Sequence, residues 1–299
     1  MIVGRMIGGY MSAQVHSDET TPAAALIGRA LLEGAAAPLG RLGSLEVRFA
    51  RDADEVERAQ RLRYRTFFEE GSALPDPAAR LTELDRDGFD PFCRHLVVVD
   101  RAGSRPGAVI GTCRLLTREA AERAGGFYSE TEFDLAPMLA RHADLRLVEL
   151  GRFCVGTAYR DRRTVELLWQ GIWWFVRSIG ADAMIGCASL DGTDPERLAP
   201  QLALLHGRAR SPEEWRVRAR PHLAVPTDRL RPAEFDARAV LRTLPPLVKA
   251  YLRLGATIGE GAVVDRHFGT TDIFVVLPVA KVERRYRSYF APELGRLAA

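Results

Sequence analysis

The sequence predicts an α/β fold, a central mixed sheet with helices on both faces. Three observations carry this. Strand-like and helix-like segments interleave along the chain instead of segregating. The clearest helical pattern, Arg162–Ile179, lies between two strand candidates, Leu145–Val155 and Met184–Leu190. No shift in composition divides residues 45–299, so one domain with a helical insertion at about 196–250 is expected.

The elements follow in order. Residues 1–44 are rich in Ala and Gly and read as a flexible arm, within which Ala23–Leu32 fits a short amphipathic helix. Leu45, Val47 and Phe49 alternate with Glu46, Arg48 and Ala50, the pattern of a half-buried strand. Asp52 with Glu55 forms an N-cap and capping-box pair for a helix running to about Phe68. His95–Val99 and Val109–Leu116, separated by the turn-like Gly103–Gly107, predict a hairpin. In the long helix, Val165, Leu168, Trp169, Ile172, Trp173 and Val176 make one apolar face, and Gly180 ends it. Helices over Pro195–Leu205 and Leu241–Leu254 and a late strand over Thr271–Val279 complete the order.

Composition narrows the function classes. Of 299 residues, 47% are hydrophobic and 27% charged, and the net charge is +3. These values suit a soluble globular protein and fall short of the basic clustering of a nucleic-acid binder. No apolar run approaches the ~20 residues of a membrane span. The four cysteines form no C-x-x-C pair, so they read as reduced core residues in a reducing, cytoplasmic compartment, with no metal implied. Neither a phosphate-binding G-x-x-x-x-G-K-[ST] loop nor a G-x-G-x-x-G turn occurs, and Ser189 has no His at a diagnostic spacing.

Three clusters carry chemistry. The turn Gly156–Thr164 places Arg160, Arg162 and Arg163 at a helix start. Basic side chains there oppose the helix dipole, so the turn is either a solvated basic surface or an anion site. Upstream, Glu149 and Arg152 fall in a strand that should be buried. A buried carboxylate is paired or functional, so Glu149 is either the ion-pair partner of Arg152 or a general base. Third come Arg63 and Phe67, then Asp85, Asp87 and Asp90, then Arg114. The Asp87–Asp90 pair is either a solvated turn or a holder for a cationic substrate amine.

The strings LRYRTFF (62–68), DGFDPFCRHLVV (87–98), GTCRLL (111–116), ELGRFCV (149–155), YRDRRTVELLWQGI (159–172) and GCASLDGTDP (186–195), with LPPLVKAYLRLGATIGEGAVVDRHFGTTDIFVVLPV (244–279), together resemble the ornithine-lipid N-acyltransferase family. The likeness runs over roughly Leu45–Phe290. It implies a GNAT-like acyltransferase fold, distantly similar to acyl-homoserine-lactone synthases. The implied reaction moves a 3-hydroxyacyl chain from acyl carrier protein to the α-amine of ornithine, giving lyso-ornithine lipid without a cofactor of the enzyme's own. GNAT enzymes usually place glycines in the pyrophosphate loop, but here Arg160-Asp161-Arg162-Arg163-Thr164-Val165 stands there without one. That favours a carrier's phosphopantetheine arm, met by Arg160, Arg163 and Thr164, over free coenzyme A. The resemblance implies Glu149 as base and Arg63, Phe67, Asp87, Asp90, Arg114 and Arg152 around the acceptor. Open alternatives are another acceptor such as glycine, a lactone-type signal synthase, and a non-catalytic carrier- or membrane-binding GNAT domain. The basic and aromatic stretch Lys281–Phe290 suggests peripheral contact with an anionic inner-membrane surface.

Overall fold

The computed structural model describes residues 38–102 and 107–282. The chain joins the sheet earlier than the sequence suggests. Strand β1 (Gly40–Leu42) pairs with β2 (Leu45–Phe49), so residues 38–44 belong to the fold and not to an arm. Residues 1–37, with the helix expected over Ala23–Leu32, lie outside the described residues. All five residues of β2 are buried. Arg48, expected to face solvent, instead donates to Glu55 Oε1 at 2.7 Å and lies 3.3 Å from Glu46. Buried charges persist when paired in this way.

Glu55 belongs to helix α1 (Ala53–Tyr64), whose first turn Asp52 caps by accepting from the Glu55 N–H at 2.8 Å. The expected continuation to Phe68 exists as a π-helical turn, Arg65–Glu69. After the short helix α2 (Pro77–Thr82), strands β3 (Arg94–Asp100) and β4 (Ala108–Thr117) form the expected hairpin. Between β4 and strand β6 the chain builds helix α3 (Arg118–Ala124), strand β5 (Phe133–Asp134) and helix α4 (Ala136–Arg141), none of which periodicity signals.

Strand β6 (Leu147–Val155), helix α5 (Arg162–Ser178) and strand β7 (Ala183–Asp191) match the central expectation. Asp161 caps α5 by accepting from the Thr164 N–H at 3.0 Å, and Gly180 follows it with φ +62°. Helix α6 (Pro195–Ala209) is next, then strands β8 (Arg218–Ala219) and β9 (Ala224–Val225). The helix expected over Leu241–Leu254 is two helices, α7 (Ala237–Thr243) and α8 (Pro246–Leu254). Leu244 and Pro245 between them are extended, because each precedes a proline and is thereby pushed out of the helical region. Strands β10 (Thr257–Ile258), β11 (Ala262–Asp265) and β12 (Thr270–Pro278) close the described chain.

The main sheet runs β1-β2-β3-β4-β6-β7-β12-β11-β9, with β10 on β12. Among the described strand pairs in it, only β6–β7 is parallel. Helix α5 packs on β1 to β4 and β6, while α1 packs on β3, β4 and β6 from the other face. The insertion contributes strands as well as helices: β8 pairs with β5, and β9 extends the main sheet through β11. No helix among the described residues is long and apolar enough to cross a membrane. Residues 283–299, which hold most of the expected membrane-contact stretch, lie outside the described residues.

Candidate active site

The parallel pairing of β6 and β7 stops early. Leu147, Val148 and Glu149 meet Ala183, Met184 and Ile185, and then the strands part. Gly186 sits at the fork with φ +153°, where an added Cβ would lie 2.5 Å from the Leu150 carbonyl oxygen. On its other edge β6 carries a bulge against β4, where the register shifts between Thr112 and Arg114. At the bulge Arg152 holds φ +51°, a left-handed conformation that costs a non-glycine residue about 1–2 kcal/mol. Fork and bulge together open a cavity of about 450 Å³. Its lining includes Phe67, Arg114, Tyr128, Glu149, Arg152 and Phe268, together with Cys187, Ser189, Asp265 and Asp272.

Behind Arg114 and Arg152 lies a closed ring of alternating charges. Arg63 donates to Asp85 at 2.7 Å and to both oxygens of Asp90 at 2.9 and 3.0 Å. Arg114 joins Asp90 at 3.0 Å to Asp87 at 2.5 Å. Arg152 joins Asp87 at 3.2 Å back to Asp85 at 3.0 Å. Each aspartate serves two arginines and each arginine two aspartates. Burial alone would raise the Asp85 and Asp90 carboxyls; the arginines outweigh it and hold both below the usual carboxylate range. The ring corrects one expectation. Asp87 and Asp90 do not hold a substrate amine, since their oxygens are taken by arginines and neither lines the cavity. Arg63, 1% exposed, also lies outside it. Phe67, Arg114 and Arg152 do line the cavity.

Glu149 lines the cavity but does not pair with Arg152. Its Oε1 accepts from the Ser129 N–H at 2.8 Å and the Ser129 hydroxyl at 2.5 Å, and its Oε2 accepts from the Tyr128 N–H at 2.7 Å. Burial pushes its carboxyl up, against these three hydrogen bonds. A carboxylate has about four acceptor sites, so one remains for an ammonium or a water. The same contacts fix the turn at Tyr128, whose ring lies under the Arg114 and Arg152 guanidinium groups at 5.6 and 4.9 Å.

Of the residues expected to meet a phosphopantetheine arm, Arg160 lines the cavity and is half-exposed, bonded to Glu70 at 3.0 Å and to the Val155 carbonyl at 3.1 Å. Arg163 is exposed outside the cavity and donates to the Leu42 carbonyl. Thr164 is a correction. It is fully buried, its hydroxyl is bonded to Asp161, and its methyl abuts Gly111, so it offers a ligand nothing. The arginines at the start of α5 are offset within the chain, by Asp161 as cap and by Glu166, 2.5 Å from Arg162.

A second acidic cluster was missed from sequence. Cys187 donates toward the Glu132 carboxylate at 3.5 Å, and Glu132, Cys187 and Asp272 bring their polar atoms within 4.8 Å of one another. Burial, then Asp272 and Asp265, push the Glu132 carboxyl up to about 8. Burial also raises Asp272, which Thr270 and Ser189 partly offset. The available signal was Asp272 itself, a lone acid inside the apolar β-run Thr271–Val279. Tyr128 and Phe268 had no comparable signal. The four cysteines are free thiols, as expected.

A family model described as an acetyltransferase (GNAT) domain matches residues 62–170. The L-ornithine N(alpha)-acyltransferase of Rhizobium meliloti (strain 1021) is 45% identical over 277 residues, spanning 92% of this chain and 94% of that protein. The protein of the same name from Rhodobacter capsulatus is 38% identical over 258 residues, 86% of this chain and 96% of that one. Among solved structures, FeeM, an N-acyl amino acid synthase from uncultured soil microbes, covers 79% of this chain and 91% of its own at 13% identity and a TM-score of 0.45. With the forked sheet and its GNAT domain, the chain belongs to the L-ornithine N(alpha)-acyltransferase family.

Proposed function

We propose that the protein transfers a 3-hydroxyacyl chain from acyl carrier protein to the α-amine of L-ornithine, giving lyso-ornithine lipid as the first step of ornithine-lipid synthesis. The observation that carries this reading is the buried Glu149 carboxylate at the fork of β6 and β7, with one acceptor site left and a cavity of about 450 Å³ before it. The α-ammonium gives its proton to Glu149, directly or through a water. The freed amine attacks the thioester carbonyl, the N–C bond forms, and the C–S bond breaks. The attacking nitrogen sheds its second proton to the departing sulfur, which leaves as the carrier thiol, and Glu149 returns its proton to solvent. A backbone N–H of the 149–155 strand stabilises the oxyanion. No acyl-enzyme and no cofactor of the enzyme's own enter the scheme. Arg160 at the cavity lining meets the single phosphodiester of the carrier's arm, and the glycine-free stretch Arg160–Val165 disfavours the diphosphate of coenzyme A. An apolar product leaves most easily at a bilayer, which supports peripheral association with the inner membrane from the cytoplasm.

The test supplies purified protein with 3-hydroxyacyl carrier protein and L-ornithine, and reads free carrier thiol and N-acylornithine. Equal turnover with acyl-coenzyme A removes the carrier from the reading, and glycine outpacing ornithine removes the acceptor. Absence of binding to anionic vesicles at low salt removes the membrane.

A further inference from the structure

The cavity lining carries both signs of charge. Arg114 and Arg152 contribute guanidinium groups to it. Asp265 and Asp272 contribute carboxylates, with Glu132 next to the Cys187 thiol. Among the described residues, none of these three carboxylates forms an ion pair with an arginine or lysine, whereas Asp85, Asp87 and Asp90 behind Arg114 and Arg152 each have two. Asp272 is 7% exposed, and its hydrogen-bond partners are the hydroxyls of Thr270, at 2.9 Å, and Ser189. A buried carboxylate facing a cavity without a counter-ion is an unfavourable arrangement that a bound cation relieves.

We propose that Asp272, with Asp265, receives the side-chain ammonium of the acceptor, so that this wall selects a diamino acid. The inference rests on the acyltransferase reading above and deepens it. The acceptor carries two ammonium groups and one carboxylate. Its α-ammonium must reach Glu149 and lose a proton, while its second ammonium must stay charged and be held apart from the thioester. A wall of carboxylates without cations of their own does both. It binds the charged amine, and by favouring its protonated form it prevents that amine from attacking. The Arg152 wall is left for the α-carboxylate. Burial and the neighbouring carboxylates raise Glu132 and Asp272, which is the electrostatic debt that a cation between them cancels. An ammonium fits this wall better than a soft metal ion, because burial and Glu132 keep the Cys187 thiol protonated.

The experiment compares L-ornithine with L-norvaline, which has the same chain with hydrogen in place of the terminal amine. The full-length protein is assayed with 3-hydroxyacyl carrier protein. The wild type prefers ornithine in kcat/KM by at least ~100-fold, the scale of losing a hydrogen-bonded charge in a built site. In Asp272→Asn that preference falls at least ~10-fold, mainly through a higher KM for ornithine and less through kcat. Asp265→Asn moves the same way. It serves as the second variant, since an asparagine there still accepts from the His267 and Phe268 N–H groups. An unchanged ornithine-to-norvaline ratio in folded variants overturns the inference while leaving the acyltransferase reading intact. So does loss of the ornithine preference on adding a chelator, which marks the wall as a metal site. A wild type inactive on ornithine with every donor overturns both.

Discussion

Arg152 Nε lies 3.0 Å from Asp85 Oδ2, and the arginine reaches it from a backbone φ of +51°. The strained bulge thus aims one guanidinium at the aspartate ring while the guanidinium carbon, Cζ, lies 4.7 Å from the centre of the Phe268 ring at the cavity wall. Removing Arg152 leaves Asp85 and Asp87 each one cation short. Uncompensated buried charge of this kind costs about 3–5 kcal/mol, less about 1–2 kcal/mol for any left-handed strain released. Arg152→Ala is therefore expected to shift the denaturation midpoint strongly downward. Arg152→Lys is also impaired, because a single ammonium does not reproduce a fork that spans two carboxylates. A midpoint for Arg152→Lys equal to the wild type would show that the ring needs charge alone.

Ser129→Ala tests how Glu149 is tuned. The hydroxyl bond to Oε1 favours the ionised carboxylate, opposing burial. Removing it raises the carboxyl further, so the acid limb of the kcat/KM profile moves to higher pH while the alkaline plateau persists. Glu149→Gln behaves differently from a simple isostere. All three contacts donate to the glutamate, so a glutamine must turn its NH₂ toward an N–H or hydroxyl donor. A loss of ~1–3 kcal/mol in stability accompanies a ~10²–10⁴-fold fall in kcat. An acid limb that stays in place in Ser129→Ala would separate Glu149 from the proton transfer.

What the sequence made legible follows from where the signal resides. Helix α5 has a long apolar face, and α1 has a cap three residues from its partner N–H; both are local patterns, and both fold as read. Strands β5, β8, β9 and β10 have two residues each, too few for any period. The site is half legible for a similar reason. Arg152 stood out as a charge in a strand that should be buried, and Arg63, Asp85, Asp90 and Arg114 as a charged cluster. Their pairings span 22 to 67 residues, which no spacing rule reaches. Glu149 and Arg152 were natural partners in sequence, but the bulge directs Arg152 to Asp85 and Asp87 instead. Asp87 and Asp90 looked like free acids because their arginines come from other elements.

Gly186 is where the fork depends on the absence of a side chain. A Cβ there would lie 2.5 Å from the Leu150 oxygen, a backbone atom that moves only with β6. The φ of +153° adds strain for any L-residue. Gly186→Ala is expected to lose several-fold or more in kcat/KM as β6 shifts under Glu149, together with a lower melting temperature. Wild-type kinetics in this variant would show that the fork tolerates displacement and that its geometry does not set the rate.

Glu132 makes stability depend on pH in an unusual direction. Its carboxyl sits at about 8 in the folded protein, raised by burial and then by Asp272 and Asp265, against an ordinary value of 4.5. Between these values the folded chain keeps a proton that the unfolded chain releases, so stability falls as pH rises across that window. The contribution is fully present below about 4.5 and is lost through about 8. Asp85 and Asp90 act the other way: held low by their arginines, they lose their contribution only in strong acid and are silent in this range. The groups facing Glu132 are Cys187, Asp272 and Asp265, with Arg152 acting from farther away. Glu132→Gln keeps an acceptor for the Cys187 thiol and removes the titration. Its melting temperature is therefore expected to exceed the wild type's at pH 8.5, with a visibly shallower decline from pH 5. L-Ornithine at saturating concentration flattens the wild-type decline as well, since a bound ammonium lowers the Glu132 carboxyl. Parallel melting curves for the two proteins across pH 5 to 8.5 would show that Glu132 is ionised throughout and that its wall already has the cation it needs.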